Sequence, residues 1–211
     1  IDGNYQYGSI YRTNDYLTVI VNGTCTLNRS VIFRGADLYF TSNKDTDVLN
    51  VKSYFDFKGS LRFYNRKTVI STSASYMFMG DGTTSKLEFG PNASMIGTNN
   101  TQVMSGVTDF TLKSPTTLLL GVMGMPDADV QFSSEDQTLV VVSGSTQTAL
   151  ARTIAIGRKH FIWIAGTQVT SLNLADVLGD GKISYDEDTY TLTLNGATIT
   201  SSTAHGIETR M

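Results

Sequence analysis

Proline is scarce in this chain of 211 residues, at 3, and histidine, tryptophan and cysteine number only 2, 1 and 1. The lone Cys25 excludes an intrachain disulfide. It lies in the alternating run Thr24-Cys25-Thr26-Leu27 with no basic neighbour, which reads as a buried structural thiol. Neither His160 nor His205 has a Ser or Cys motif around it, so both read as structural residues at strand ends or on the surface. Charge is sparse as well: 17% of residues, net −3, and no basic cluster larger than the pairs Arg66–Lys67 and Arg158–Lys159. The electrostatic footprint of a nucleic-acid binder is missing, and DNA and RNA are excluded as expected partners. Long apolar runs are missing too. The longest, Leu118 to Met125, is broken by Gly121 and Gly124 and falls far short of the roughly 20 residues of a membrane helix, so no membrane insertion is expected. The chain opens Ile1-Asp2-Gly3 rather than on Met and a basic, apolar leader, which reads as a mature or excised form.

What is present is a chain with 40% hydrophobic residues and 19 Gly, large enough to hide roughly 70% of its unfolded surface. Helical periodicity is confined to a weak stretch, Val169 to Leu178. Elsewhere short runs alternate with a period of two, and these runs recur. An apolar-x-apolar motif stands at Leu17/Val19, Leu38/Phe40, Leu61/Phe63, Leu87/Phe89, Phe110/Leu112, Val130/Phe132 and Ile154/Ile156, at spacings of 21, 23, 26, 23, 20 and 24. A second apolar run follows each (Cys25/Leu27, Val48/Leu49, Val69/Ile70, Met95/Ile96, Leu118–Leu120, Leu139–Val142, Ile162/Ile164). A third often follows that (Val31–Phe33, Phe55/Phe57, Tyr76–Met79, Val103/Met104, Val122/Met123). Three short strands per turn predict an all-β, single-stranded right-handed parallel β-helix of about seven coils, with an antiparallel β-sandwich as the alternative. Leu17, Leu38, Leu61, Leu87, Phe110, Val130 and Ile154 are expected in one stack, and Phe40, Phe63, Phe89 and Phe132 in another. The pattern breaks near residue 160. The expected organisation is therefore a β-helix over 1–159 and a strand-turn-strand unit over 160–211 that begins a second, incomplete repeat module. Thr189–Ile199 echoes Tyr16–Leu27, and Gly206–Arg210 echoes Gly8–Arg12.

The stretches Trp163–Thr170, Asp176–Asp186 and Thr189–Ile199, within a span of about 40 residues, resemble the module opening of secreted bacterial surface proteins that carry β-helical, carbohydrate-binding-type, adhesin-like domains in tandem. The resemblance implies an extracellular β-helix at the cell surface or secreted, and a polysaccharide or cell-surface glycan as partner. It carries no binding residue onto this chain.

Sugar rings have an apolar face and a polar rim, so their binders use exposed aromatics flanked by hydrogen-bonding groups. Alternation in Leu38-Tyr39-Phe40 and Leu61-Arg62-Phe63-Tyr64 turns Tyr39, Arg62 and Tyr64 outward on one sheet, with Glu88 continuing the column. These four are the candidate ligand-binding residues, and a surface ladder with an Arg62–Glu88 pair is the plainer reading. Asp176, Asp180, Gly181, Ile183 and Glu187 fall at EF-hand loop positions, but Leu178 occupies a ligand position and cannot ligate. The stretch reads better as a hairpin turn, leaving Asp180, Asp186 and Asp188 as a looser Ca2+ candidate and no other cofactor expected. Catalysis on glycans needs paired carboxylates. Glu numbers 4, most Asp lies in turns such as Asp81-Gly82 and Asp127-Ala128-Asp129, and Asp56 with Arg62 is the nearest acidic–basic pairing. No catalytic residue is assigned. The expected function is a non-catalytic glycan-binding or adhesin-like module, with a polysaccharide lyase or hydrolase on the same scaffold as the alternative. The repeat-like end of the chain is expected to cap an open end of the coil or to associate head to tail with another copy.

Overall fold

The computed structural model describes residues 16–119, 121, 129–202 and 205–210, and the backbone of 2–5. The chain forms two units, 1–156 and 157–211, and every regular element among the described residues is a β-strand.

Unit 1 is a parallel β-solenoid of about four coils. The strand β1 (Asp2–Tyr5) pairs in parallel with the second half of β2 (Tyr16–Leu27), which bends at Gly23 (φ +66°) and is followed by β3 (Val31–Phe33). The second coil comprises β4 (Asp37–Ser42), β5 (Val48–Val51) and β6 (Phe55–Phe57). The third comprises β7 (Ser60–Phe63), β8 (Lys67–Ser71) and β9 (Tyr76–Met79). The fourth comprises β10 (Lys86–Phe89) and the bent β11 (Met95–Ser105), after which β12 (Asp109–Leu112) starts a fifth turn. The first face runs β2-β4-β7-β10-β12, the second β2-β5-β8-β11 and the third β3-β6-β9-β11, all parallel within a face.

The sequence period is the physical cause of this register. A parallel ladder places equivalent residues of successive coils about 4.8 Å apart, so a one-residue slip would turn every inward side chain out. Leu17, Leu38, Leu61, Leu87 and Phe110 stand in one register column. Beside it Phe40, Phe63 and Phe89 stack with ring centroids 5.4 and 5.2 Å apart and planes within 12°. Phe55 and Phe78 form a second stack from the third face, meeting the first edge-on at 5.3 to 6.4 Å. These five rings are fully buried. Each contributes on the order of 1.5–3 kcal/mol by burial, and each ring pair adds about 0.5–1.5 kcal/mol.

Coiling ends earlier than the spacing predicts. Val130 and Phe132 lie in β14 (Val130–Ser133), which follows β13 (Thr117–Leu118) and forms an antiparallel meander with β15 (Thr138–Ser143) and β16 (Thr146–Ala149). Ile154 and Ile156 lie in β17 (Ala151–Gly157), antiparallel to β11, with Ile154 opposite Gly97 and Ile156 opposite Met95. Val130 and Ile154 therefore leave the predicted column, and Phe132 leaves the predicted stack, whose next position belongs to Leu112. Phe132 instead tilts against Phe110 at 6.1 Å. The reason is that an apolar-x-apolar pattern specifies a half-buried strand without specifying its direction. At the end of a solenoid an antiparallel strand satisfies the exposed backbone edge, which another parallel coil would only recreate. Leu118 does lie in a paired strand, since β13 joins β17. Leu120, Val122, Met123, Met125, Asp127, Ala128 and Gly8–Arg12 fall outside the described residues.

Corners are built from polar side chains returned to the backbone. Asp81 Oδ1 accepts the N–H of Thr83 and Thr84 at 2.9 and 2.8 Å, while Oδ2 accepts both of their hydroxyls at 2.9 Å. Burial pushes this carboxyl up, but the N–H groups of Thr84 and Thr83 and the hydroxyls of Thr83 and Ser85 outweigh burial and hold it well below the usual carboxylate range. This Asp serves its turn, as its context predicts. Cys25 is a buried thiol, and its Sγ donates to the Asn22 carbonyl.

Unit 2 contains β18 (Lys159–Ile164) between β19 (Thr167–Thr170) and β22 (Ile207–Thr209), all antiparallel, and the hairpin of β20 (Ile183–Asp186) with β21 (Thr191–Leu194). Ala165 and Gly166 both take positive φ, +49° and +85°, as a two-residue hairpin turn requires. Its core is Ile164, Val169, Val177, Ile183 and Tyr185. The weak helix expected at Val169–Leu178 is a strand end followed by turns, because the side chain of Asn173 accepts the Thr170 N–H and that of Asp176 the Gly179 N–H, a local alternative to helical bonding. Gly196 repeats the corner of Gly23 with φ +61°, yet β21 pairs antiparallel where β2 is parallel to its neighbours. No described helix is long and apolar enough to cross a membrane.

Candidate functional site

Aligning the coils on Leu17, Leu38, Leu61, Leu87 and Phe110 generates the outer surface of the first face as three columns. One is Tyr16, Asp37, Ser60, Lys86 and Asp109. The middle one is Thr18, Tyr39, Arg62, Glu88 and Thr111. The third continues one residue beyond the shorter strands, through Ile20, Thr41, Tyr64, Gly90 and Lys113. The structure thus brings all four candidate ligand-binding residues together on one sheet, with Tyr39, Arg62 and Glu88 in adjacent register and Tyr64 diagonal to Tyr39.

The two tyrosine rings touch, centroids 4.9 Å apart and planes tilted by 42°. Tyr64 lies flat over Gly90, where a Cβ would come within 2.5 Å of the ring, so glycine is the residue that permits the ring to lie down. The Tyr64 hydroxyl donates to Glu88 Oε1 at 2.5 Å. That hydrogen bond, followed by burial and the Glu88 charge, pushes the phenol up to about 12. The other carboxylate oxygen, Glu88 Oε2, faces Lys113 Nζ at 3.6 Å.

The expected Arg62–Glu88 ion pair is not the one formed. Arg62 Nη2 reaches Asp37 Oδ2 at 3.3 Å instead, while Tyr64 and Lys113 occupy Glu88. Burial raises the Asp37 carboxyl above its ordinary value, Arg62 pulls against that rise and Glu88 adds to it. The resulting surface is two contacting aromatic rings on a rigid sheet, flanked by one network of carboxylates, a guanidinium and an ammonium. It can stack against an apolar ring face and offer both donors and acceptors to its rim.

The other candidates separate. Asp56 sits on the third face, paired with Arg34 at 2.5 Å, whereas Arg62 is on the first; strands of opposite faces cannot join them into a lyase-like pair. Asp180 Oδ1 accepts the Lys182 N–H, and Asp186 Oδ1 accepts the N–H of Asp188 and Thr189, so these carboxylates close their own turns. The described residues hold no group of three or more His, Cys, Asp or Glu side chains able to bind a metal ion, and Asp180, Asp186 and Asp188 form no such set. Glu187 turns away from the acidic loop to meet Arg158, with His160 Nε2 3.2 Å from its Oε2 and the His160 ring edge-on to Tyr185 at 5.1 Å. This mostly buried cluster ties β18 to the hairpin within unit 2. His205 is exposed.

Sequence reasoning missed Asp37, Lys113 and Tyr16 as members of this surface. The signal was available in the repeat: these residues stand one before or three after the column leucines and Phe110, at outward positions of the same alternation. No family model matches the chain, and no curated protein and no solved structure matches it either.

Proposed function

We propose that the protein is a non-catalytic module of the cell surface or the secreted space that binds polysaccharide on the outer surface of the first solenoid face. The observation that carries this reading is the contacting Tyr39–Tyr64 pair set among Arg62, Glu88, Asp37 and Lys113. A pyranose ring stacks on such a surface without displacing any core residue, and the parallel ladder beneath fixes the geometry before binding, which lowers the entropy lost on association. The resemblance of residues 163–199 to carbohydrate-binding surface modules supports the same reading.

A glycan array followed by titration with the best polysaccharide tests it. The double variant Tyr39→Ala/Tyr64→Ala is expected to weaken binding by at least about tenfold, the effect of losing two stacking contacts, while the fold is kept and stability falls only by the loss of the Tyr64–Glu88 hydrogen bond. Equal binding by the double variant would remove this face from consideration.

A second reading has one observation in its favour. Asp37, with its raised carboxyl, shares the face with a second carboxylate, Glu88, and a glycoside hydrolase uses a pair of carboxyl groups. Against it, Arg62 holds Asp37 and both Tyr64 and Lys113 hold Glu88. Sustained release of reducing ends or unsaturated products from the bound polysaccharide would favour the enzyme.

A further inference from the structure

The aromatic line on the first face extends beyond Tyr39. Tyr16 stands opposite Asp37 and Thr18 opposite Tyr39, so Tyr16 precedes Tyr39 by one coil and two positions. The same step leads from Tyr39, opposite Arg62, to Tyr64. Each diagonal step is about 7–8 Å, which makes an oblique line of three tyrosines about 15 Å long. Tyr16 is 79% exposed and borders a groove of about 350 Å³ shared with Arg34, Gly35, Lys58, Gly59 and Thr84.

The groove exists because two coil corners meet there without side chains. Gly59 has φ +76°, and a Cβ on it would come within 2.5 Å of the carbonyl oxygens of Gly35 and Ala36. Its walls mix apolar and polar groups, and its charge is positive. Arg34 is anchored by Asp56 Oδ2 at 2.5 Å and by the Phe33 carbonyl at 3.4 Å, which makes that pair neutral and fixed. Lys58 is exposed and adds a positive charge, and no carboxylate lines the groove among the described residues. An aromatic ring beside an ammonium and a fixed guanidinium is complementary to a sugar carrying its own carboxylate.

We propose that this groove is a subsite for the carboxylate-bearing sugar of an acidic polysaccharide, with Tyr16 against the sugar ring and Lys58 facing its carboxylate, and that the same chain continues over Tyr39 and Tyr64. The assignment rests on the glycan-binding reading of the face and goes beyond it in naming a uronic-acid polymer as ligand.

Polygalacturonate and its methyl ester share a backbone and differ in charge, so they are the probes. The full chain is expected to bind polygalacturonate more tightly, with the preference shrinking as salt rises. Lys58→Gln is expected to cost about five- to tenfold on polygalacturonate, the loss of one charge-assisted contact, with little change on the ester. Tyr16→Ala and Tyr39→Ala are expected to weaken both. Lys58 is exposed, so its variant should keep the wild-type unfolding midpoint. If Lys58→Gln affects neither polymer, or both equally, while Tyr39→Ala weakens binding, the subsite assignment is overturned and the face remains a glycan platform. Binding only to neutral glycans has the same meaning. Absence of binding to every glycan overturns both.

Discussion

At the scale of single residues, the hydroxyl of Tyr64 is the most informative group on the candidate face. Its phenol is pushed up to about 12 from an ordinary value of 10, first by the hydrogen bond to Glu88 and then by burial. A folded-state value above the unfolded one means that the protonated phenol stabilises the fold. That contribution is fully present below pH 10 and is lost as pH rises through 12. Ultraviolet titration of tyrosinate absorbance should therefore show Tyr64 ionising late, beside Tyr185, whose phenol burial also pushes up, and Glu88→Gln should bring Tyr64 alone back toward the ordinary range. A titration curve unchanged by Glu88→Gln would show that the Glu88 hydrogen bond does not set the Tyr64 shift. Local chemistry of this kind was half visible in the sequence. The outward positions of Tyr39, Arg62, Tyr64 and Glu88 follow from alternation alone, but partner choice does not. Alternation placed Arg62 beside Glu88, and the structure pairs it with Asp37 because side-chain reach along the strand, not register, selects the partner.

At the scale of elements, the stacked phenylalanines decide stability. Phe63 touches Phe40, Phe55, Phe78 and Phe89 and is 1% exposed. Phe63→Ala should cost about 3–5 kcal/mol in denaturant unfolding, as expected for a large core ring replaced by a cavity. Tyr39→Ala, on the opposite side of the same sheet, should stay within about 0.5 kcal/mol. A loss under 1 kcal/mol for Phe63→Ala would mean that the stack collapses around the gap. The coils that the repeat predicted correctly, from Leu17 through Phe110, are those that stack in parallel on a neighbouring coil. The errors begin where that condition ends. Val130 and Ile154 keep the same local pattern as Leu61, yet each belongs to a strand of opposite direction, and direction is set by what already lies alongside. No window of sequence around Val130 contains that information.

At the scale of the whole molecule, the described residues form two separate apolar cores, one running the length of the solenoid and one built on Ile164, Val169, Val177, Ile183 and Tyr185. Calorimetry should resolve two transitions. Ile183→Ala, at about 2–4 kcal/mol for a buried Ile, should lower the midpoint of one and leave the other in place. A single transition shifted by both Ile183→Ala and Phe63→Ala would show that the units unfold together. The molecule also carries its own means of telling the two apart. Its only tryptophan, Trp163, lies on β18 under the guanidinium of Arg210, 4.5 Å from the ring centre, while nine of its ten phenylalanines lie in the solenoid. Indole emission thus reports on the smaller unit alone. The near-ultraviolet dichroism of the phenylalanine column reports on the larger one, so each unit can be followed in the intact chain without a label.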